Sequence, residues 1–345
     1  MAQISTGSLV QLCRRLATSS RAGVDARKTW ENEAKYGSGA YRRNLTLVSD
    51  GVARGDTVAE SLRECEGYFP SLMCELVEVG ERTGKTDAIY AKLAEHYEHQ
   101  AQLTRNFLMG IAWPMFQLLI GIVVVGGLIG VLGVIGGNNI DILGLGFKGV
   151  RGMLLFWANC ALLAMLVALG VSGVMRGWFG DAPLALAMRI PGIGAALTYP
   201  ALARLTWTLA MALEAGIDAK RSVQLCLRAS QNPLYLGKAP GMLQAISDNR
   251  QFIEAFQEAE VFPLEFLHSL ENAEIAGATS ESLLVLAKEF EDRAKTALRI
   301  LTGAIGVLVW MGVGLLIILM IYRMFQEMYL KPINDIMDQI NKGTI

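Results

Sequence analysis

The chain contains itself twice. Ala22-Gly23-Val24-Asp25-Ala26-Arg27-Lys28-Thr29 returns as Ala215-Gly216-Ile217-Asp218-Ala219-Lys220-Arg221-Ser222, an offset of 193 residues. Phe69-Pro70 returns at the same offset as Phe262-Pro263, and Glu78, Glu81 and Gly84 return as Glu271, Glu274 and Gly277. Leu93-Ala94 returns as Leu286-Ala287. Only the middle slips, where Glu60-Ser61-Leu62 fits Glu254-Ala255-Phe256, one residue out of step. A chance octapeptide would not hold its register this far, so the chain is one domain duplicated.

Between and after the copies lie three stretches without a charged residue, Asn106–Ile140, Gly152–Met175 and Ile300–Tyr322. About 20 apolar residues suffice to cross a bilayer core as a helix. Charged residues make up 18% of the 345 residues and the mean hydropathy is +0.37, a membrane-protein composition. Met1–Ser20 lacks the apolar run of a cleavable signal peptide and carries Arg14-Arg15, so the first span is expected to do the targeting. Eight basic residues flank the spans on one side (Lys92, Arg105, Arg176, Arg189, Lys288, Arg293, Lys295, Arg299) and four on the other (Lys148, Arg151, Arg323, Lys331). The excess of Lys and Arg marks the cytoplasmic side, which puts the N-terminus and both copies inside.

The expected organisation is a first cytoplasmic helical bundle over 1–106, a span over 107–135 and a short periplasmic loop over 136–151. A second span then covers 152–175, a linker and the second bundle 176–299, a third span 300–322 and a periplasmic tail 323–345. Arg176–Pro200, with three prolines and several glycines, reads as the linker. Within the copies the pattern is helical. Leu9, Leu12, Cys13 and Leu16 fall on one helix stripe, and Leu202, Leu205, Leu209 and Leu213 repeat it. Gly23 and Gly216 are placed to stop a helix, and Asp25 and Asp218 to cap the next. Thr57 and Glu60 have capping-box spacing. No alternating strand pattern is visible, so the fold class is all-α: two repeated cytoplasmic bundles and three transmembrane helices.

Most candidate chemistry fails on its spacing. Gly80-Glu81-Arg82-Thr83-Gly84-Lys85-Thr86 resembles the end of a phosphate loop. Its first glycine is one residue too close, and the second copy has no lysine there. His96 and His99 lie three apart, but the second copy has Glu289 and Asp292, and a solvated helix face is the plainer reading. The five cysteines form no CxxC pair and read as reduced thiols. No nucleophile, metal or cofactor site is expected, and no nucleic-acid contact. The spans carry no Asp, Glu, Lys, Arg or His, which argues against an ion-coupled transporter. A small transporter or channel subunit with regulatory domains remains the rival class.

Gly126 and Gly130, and Gly133 and Gly137, have the small-residue spacing of close helix packing, and Pro114 is expected to bend the first span. Asn159 and Ser172 read as helix–helix hydrogen-bonding residues. The charged segment Glu78, Glu81, Arg82 and Lys85, with its counterparts Glu271 and Glu274, is the candidate partner contact, a polar surface suited to a basic partner. Gly80 and Gly84 shape that segment in the first copy, and Gly277 in the second.

These residues resemble the type II secretion system F proteins, which include the type IV pilus assembly platform proteins. The resemblance runs through Ile190-Pro191-Gly192-Ile193-Gly194, Ala203–Ile217, Phe69-Pro70-Ser71-Leu72, Val79–Gly84 and Arg105–Pro114. It implies a non-enzymatic bacterial inner-membrane platform that couples a hexameric cytoplasmic ATPase to the polymerisation of pilin or pseudopilin subunits and to protein secretion. Other inner-membrane assembly proteins, the lipid bilayer and further copies of the chain are the implied neighbours.

Overall fold

The computed structural model describes residues 3–135, 146–175, 186–188, 190, 192–330, 333–334 and 336–337. Gly137, residues 136–145 of the expected periplasmic loop and residues 176–185, 189 and 191 of the expected linker lie outside these. Every regular element among the described residues is helical. The chain divides into two compact units, Met1–Asn106 with Ala187–Ala297, and Phe107–Leu186 with Leu298–Ile345.

The first unit holds both copies. Copy one is α1 (Thr6–Arg21), α2 (Ala26–Lys35), α3 (Gly39–Arg54), α4 (Val58–Glu64), α5 (Ser71–Thr83) and the start of α6 (Thr86–Ile135). The long helix of the intervening segment is α7 (Gly149–Met175). Copy two is α8 (Ile193–Glu214), α9 (Ala219–Ser230), α10 (Pro233–Gly237), α11 (Ala239–Ser247), α12 (Phe252–Glu258), α13 (Leu264–Ile275) and the start of α14 (Thr279–Phe325). One helix of copy one, α3, is thus two shorter helices in copy two.

The stops and caps are the same in both copies. Gly23 sits at φ +73° and Val24 N–H donates to Ser19 O, while Gly216 sits at φ +74° and Ile217 N–H donates to Ala212 O. Only glycine reaches this left-handed conformation freely, and the bond closes the helix end. Asp25 and Asp218 then accept from Lys28 N–H and Arg221 N–H. The capping box at Thr57 and Glu60 is formed in full.

Each copy buries its own core. Leu9, Leu12, Cys13 and Leu16 pack with Trp30, Leu45 and Leu76, and Leu202, Leu205 and Leu209 with Phe256, Phe266 and Phe290. A fully buried side chain of this size stabilises by roughly 1.5–3 kcal/mol. Four cysteines are buried and none is paired; desolvation pushes the Cys13 thiol up to about 12 and those of Cys65 and Cys74 to about 11. One boundary differs from the sequence reading. Residues 193–200 continue α8 instead of belonging to a linker, and Pro200 sits inside that helix. Ala196, Ala201 and Leu202 are buried on both sides of the proline, and their packing offsets the hydrogen bond it removes.

In the second unit α6, α7 and α14 are long and apolar enough to cross a membrane. At 1.5 Å per residue α6 is about 75 Å long, more than twice a bilayer core. Side chains such as Trp113 and Leu119 of α6, Leu163 of α7 and Trp310 of α14 lie exposed, as lipid-facing residues do. Gly126, Gly130 and Gly133 form one stripe of α6 against α7. A methyl at Gly126 would strike the Trp157 ring, one at Gly130 would lie 2.8 Å from Met153 Sδ, and one at Gly133 would strike the Gly149 backbone. Trp157 Nε1–H also donates to Ile122 O at 3.2 Å. The helix α6 continues through Pro114, whose ring faces Gly306 of α14. Asn159 and Ser172 do not bridge helices as expected. They donate to Leu155 O and Leu169 O of their own helix, which satisfies a polar group in lipid without a partner. Gly126→Leu is expected to displace Trp157 and cost about 1–3 kcal/mol, read as a lower unfolding temperature in detergent; an unchanged temperature would show that α6 and α7 do not pack through this stripe.

Candidate functional site

The candidate contact segment ends α5, and the structure splits its residues into two groups. Glu81 turns inward. Its Oε1 accepts from Val58 N–H at 2.7 Å and its Oε2 from Ala59 N–H at 3.0 Å. These are the first two amides of α4, which have no partner within their helix. Thr57 Oγ1 takes the third, Glu60 N–H, at 3.1 Å. Glu274 repeats the arrangement, accepting from Phe252 N–H and Ile253 N–H at 2.8 Å each. A carboxylate here also meets the positive end of the helix dipole. The amides held by the two glutamates are 194 residues apart while the glutamates are 193 apart, so the slip seen in the sequence is one residue gained in the turn before α12 and one lost in the turn after it.

Glu78 is tied down too, in an ion pair with Arg63 that holds its carboxyl below the usual range. Arg82 and Lys85 are exposed, as is Glu271 beside His268. The exposed charged side chains at the end of α5 are therefore the basic ones, Arg82 and Lys85. Gly84, at φ +70°, turns the chain from α5 into α6, with Lys85 N–H donating to Gly80 O. Gly80 is buried where a methyl would press on Thr86 and Ile89 at 3.2 Å. Gly277, at φ +65°, makes the same turn in copy two. Pro70 and Pro263 stand at the N-termini of α5 and α13, behind the buried Phe69 and Phe262.

A second constellation was not anticipated. Copy one offers α5 and α6, and copy two offers α8, the start of α9 and α14. Arg221 reaches Glu75 at 3.0 Å, Lys92 reaches Glu214 at 2.7 Å, and His99 Nδ1 lies 2.6 Å from Glu291. His96 stacks on Trp207 with ring centroids 3.6 Å apart, and Met211 is buried in the core of copy one. The two bundles are thus one packed body. A signal existed in the sequence. Glu75, Lys92, His96 and Trp207 correspond to His268, Val285, Glu289 and Arg14, so these four contact positions differ in chemical type between the duplicates, while Arg221 and Glu291 keep theirs in Lys28 and Glu98.

His96 is accordingly buried, not part of a solvated face. Burial pulls its pKa down to about 3, assisted by the charge of Arg204 and by His99. Arg204 is itself pulled down to about 10 by desolvation, and its guanidinium donates to Ala229 O and Ser230 O. The ring is held neutral, with Gln100 Nε2 at 2.6 Å from its Nε2. Since the folded pKa lies below the ordinary value of about 6.5, the unfolded chain binds the extra proton. The His96 contribution is complete above pH ~6.5 and falls as the pH drops toward the folded value. At pH 5 the loss is about 2 kcal/mol, at roughly 1.4 kcal/mol per unit. Unfolding midpoints at pH 7 and pH 5 should differ more for the natural chain than for His96→Phe; equal differences would show that His96 is not the titrating group. Among the described residues no cluster could hold a metal ion.

The repeated domain matches a family model described as "Type II secretion system (T2SS), protein F" over residues 12–133 and again over 205–325. The chain belongs to the type II secretion system protein F family. Its relatives carry names from both branches of that family. It is 25% identical to the type IV pilus assembly protein TapC of Aeromonas hydrophila, over 95% of this chain and 82% of that one. It is 26% identical to the type 4 fimbrial assembly protein PilC of Pseudomonas putida, over 88% and 79%. The type II secretion system protein F of Pseudomonas aeruginosa is 21% identical, over 92% and 81%. The two family matches include the Glu81 and Glu274 clasps and the helices that carry the contact between bundles. This family member is an all-α membrane protein of the secretion and pilus assembly class.

Proposed function

We propose that this protein is the non-enzymatic inner-membrane platform of a type II secretion or type IV pilus-like machine. In this role it couples a hexameric cytoplasmic ATPase to the polymerisation of pilin-like subunits. Family membership supports the class of machine. The observation that carries the coupling role is the fusion of two bundles into one body, each continuing without a break into a helix long enough to cross the membrane. A load placed on either bundle is passed to two helices rather than absorbed by a hinge between bundles. The phosphate-loop spacing is wrong, so the energy comes from a partner. Both bundles face the cytoplasm in this reading, as the basic flanks favour.

The ATPase contact is assigned to the exposed basic end of α5, at Arg82 and Lys85. Glu81 is excluded from it because both of its carboxylate oxygens hold α4. Arg82→Glu with Lys85→Glu should lower recovery of the ATPase with the tagged protein by about tenfold or more, the ratio produced by ~1.4 kcal/mol, with unchanged membrane content. Undiminished recovery would remove this surface from the contact.

A further inference from the structure

The two bundles of one chain do not meet face to same face. Copy one presents α5 and α6, while copy two presents chiefly the α8–α9 corner, with α14 adding only Glu291 and Leu284 at the edge. The contact is therefore heterologous, and a heterologous contact leaves its complement open at each end. At the offset of 193 residues these complements can be named. The α8–α9 residues Trp207, Glu214, Ile217 and Arg221 correspond to Arg14, Arg21, Val24 and Lys28 on α1 and α2. The α5–α6 residues Glu75, Lys92, His96 and His99 correspond to His268, Val285, Glu289 and Asp292 on α13 and α14.

Both open faces are exposed, and their charges are opposite. Arg14, Arg21 and Lys28 are exposed around Val24, the counterpart of the Ile217 that packs on the core of copy one. Arg14 shares its charge with Glu98, and the other two have only their surroundings to answer them among the ion pairs described. On the second face Val285 is 72% exposed, between Glu281 and Glu289 one turn to either side. Along α13, Leu264 and Ile275 are 74% and 80% exposed, one either side of His268 and Glu271 on the same stripe. Glu289 and Asp292 pair with Arg293 and Lys295 yet keep half or more of their side chains exposed. Large apolar side chains left open beside acids on a soluble bundle mark a contact surface.

We propose that a second copy of this chain docks the α1–α2 face of its first bundle on the α13–α14 face of this chain's second bundle. The contact repeats between chains the one already made within the chain. Lys28 of the second copy takes the place that Arg221 holds and meets His268 and Glu271. Arg21 meets the acids around Val285, and Val24 covers the apolar stripe. Repetition gives a head-to-tail ring or file of copies, and it stands independently of the secretion role.

Thiol crosslinking in native membranes tests this with the full chain. Cys160, the one half-exposed cysteine, is first replaced by alanine. One chain then carries Lys28→Cys and one tag, and a co-expressed chain carries His268→Cys and a second tag. A short bismaleimide, about as long as an Arg–Glu pair, is added. Glu75→Cys with Arg221→Cys in one chain is the positive control, detected as an internal link after proteolysis between the two sites. The expected result is an adduct bearing both tags, and a ladder beyond dimers when both substitutions are on one chain. Arg21→Glu in the Lys28→Cys chain should reduce the adduct, and Glu289→Lys in its partner should restore it. The proposal is overturned if the control links and the Lys28–His268 pair does not. Links of Lys28→Cys only to itself, or of His268→Cys to a protein bearing neither tag, would overturn it too. ATPase recovery is not read in this experiment, so its outcome is separate from that of the Arg82 and Lys85 variant.

Discussion

Replacing Glu81 with alanine is expected to cost about 3 kcal/mol. The substitution removes the acceptor for Val58 N–H and Ala59 N–H together. Each partly buried amide left without a partner costs roughly 1–3 kcal/mol, and the lost helix-terminus charge adds about 0.3–1 kcal/mol. Glu81→Gln keeps an acceptor and should cost about half as much. Glu274→Ala should act alike on α12, which has no side-chain cap of its own at Gln251. The measurement is unfolding of the detergent-solubilised chain, with limited proteolysis of residues 55–66 as a local readout. Faster cleavage there in Glu81→Ala is expected. A variant that unfolds and is cleaved as the natural chain would show that the clasp holds nothing. The effect is structural, so loss of partner binding in a Glu81 variant would not by itself identify a contact.

The second large effect is expected at Trp207. Its ring stacks on His96 and lies against the core of the first bundle although it belongs to the second. Truncating an aromatic residue in such a contact costs about 3 kcal/mol or more. Trp207→Ala should also separate the unfolding of the two bundles, since their shared surface loses its largest side chain. In a double-mutant cycle with His96→Ala the two changes should fall short of additive by about 1 kcal/mol, the scale of a stacked ring pair. Strict additivity would mean that the rings do not interact in solution.

These two sites differ in how far the sequence reveals them. Helix stops and caps are local: Gly23 and Asp25 with their counterparts Gly216 and Asp218, and Thr57 in copy one, are read from spacing, and the structure places them so. The core stripes follow from a period of 3.6 residues and are equally legible. The clasp spans more than twenty residues, and nothing in the pattern around Glu81 says that its carboxylate turns to α4 rather than to water. Burial of His96 is illegible for a related reason. A helix covered on a second side by another domain keeps the polar residues that its own bundle tolerates, so periodicity assigns that side to solvent. Pro200 misleads because punctuation residues act through local backbone cost, and packing on both sides of the proline outweighs it here. The duplication supplies what periodicity lacks. Positions where the copies differ in type, such as Glu75/His268 and Lys92/Val285, point to the relation between bundles.

Affinity capture decides whether this duplicated membrane protein serves as the platform of an assembly machine. The tagged chain is extracted from its native membranes in mild detergent, and the proteins that come with it are identified by mass spectrometry. The expected result is recovery of a hexameric assembly ATPase and of pilin-like subunits, whose identities would separate secretion from pilus assembly. Recovery of unrelated transport subunits, with neither of those proteins, would contradict it.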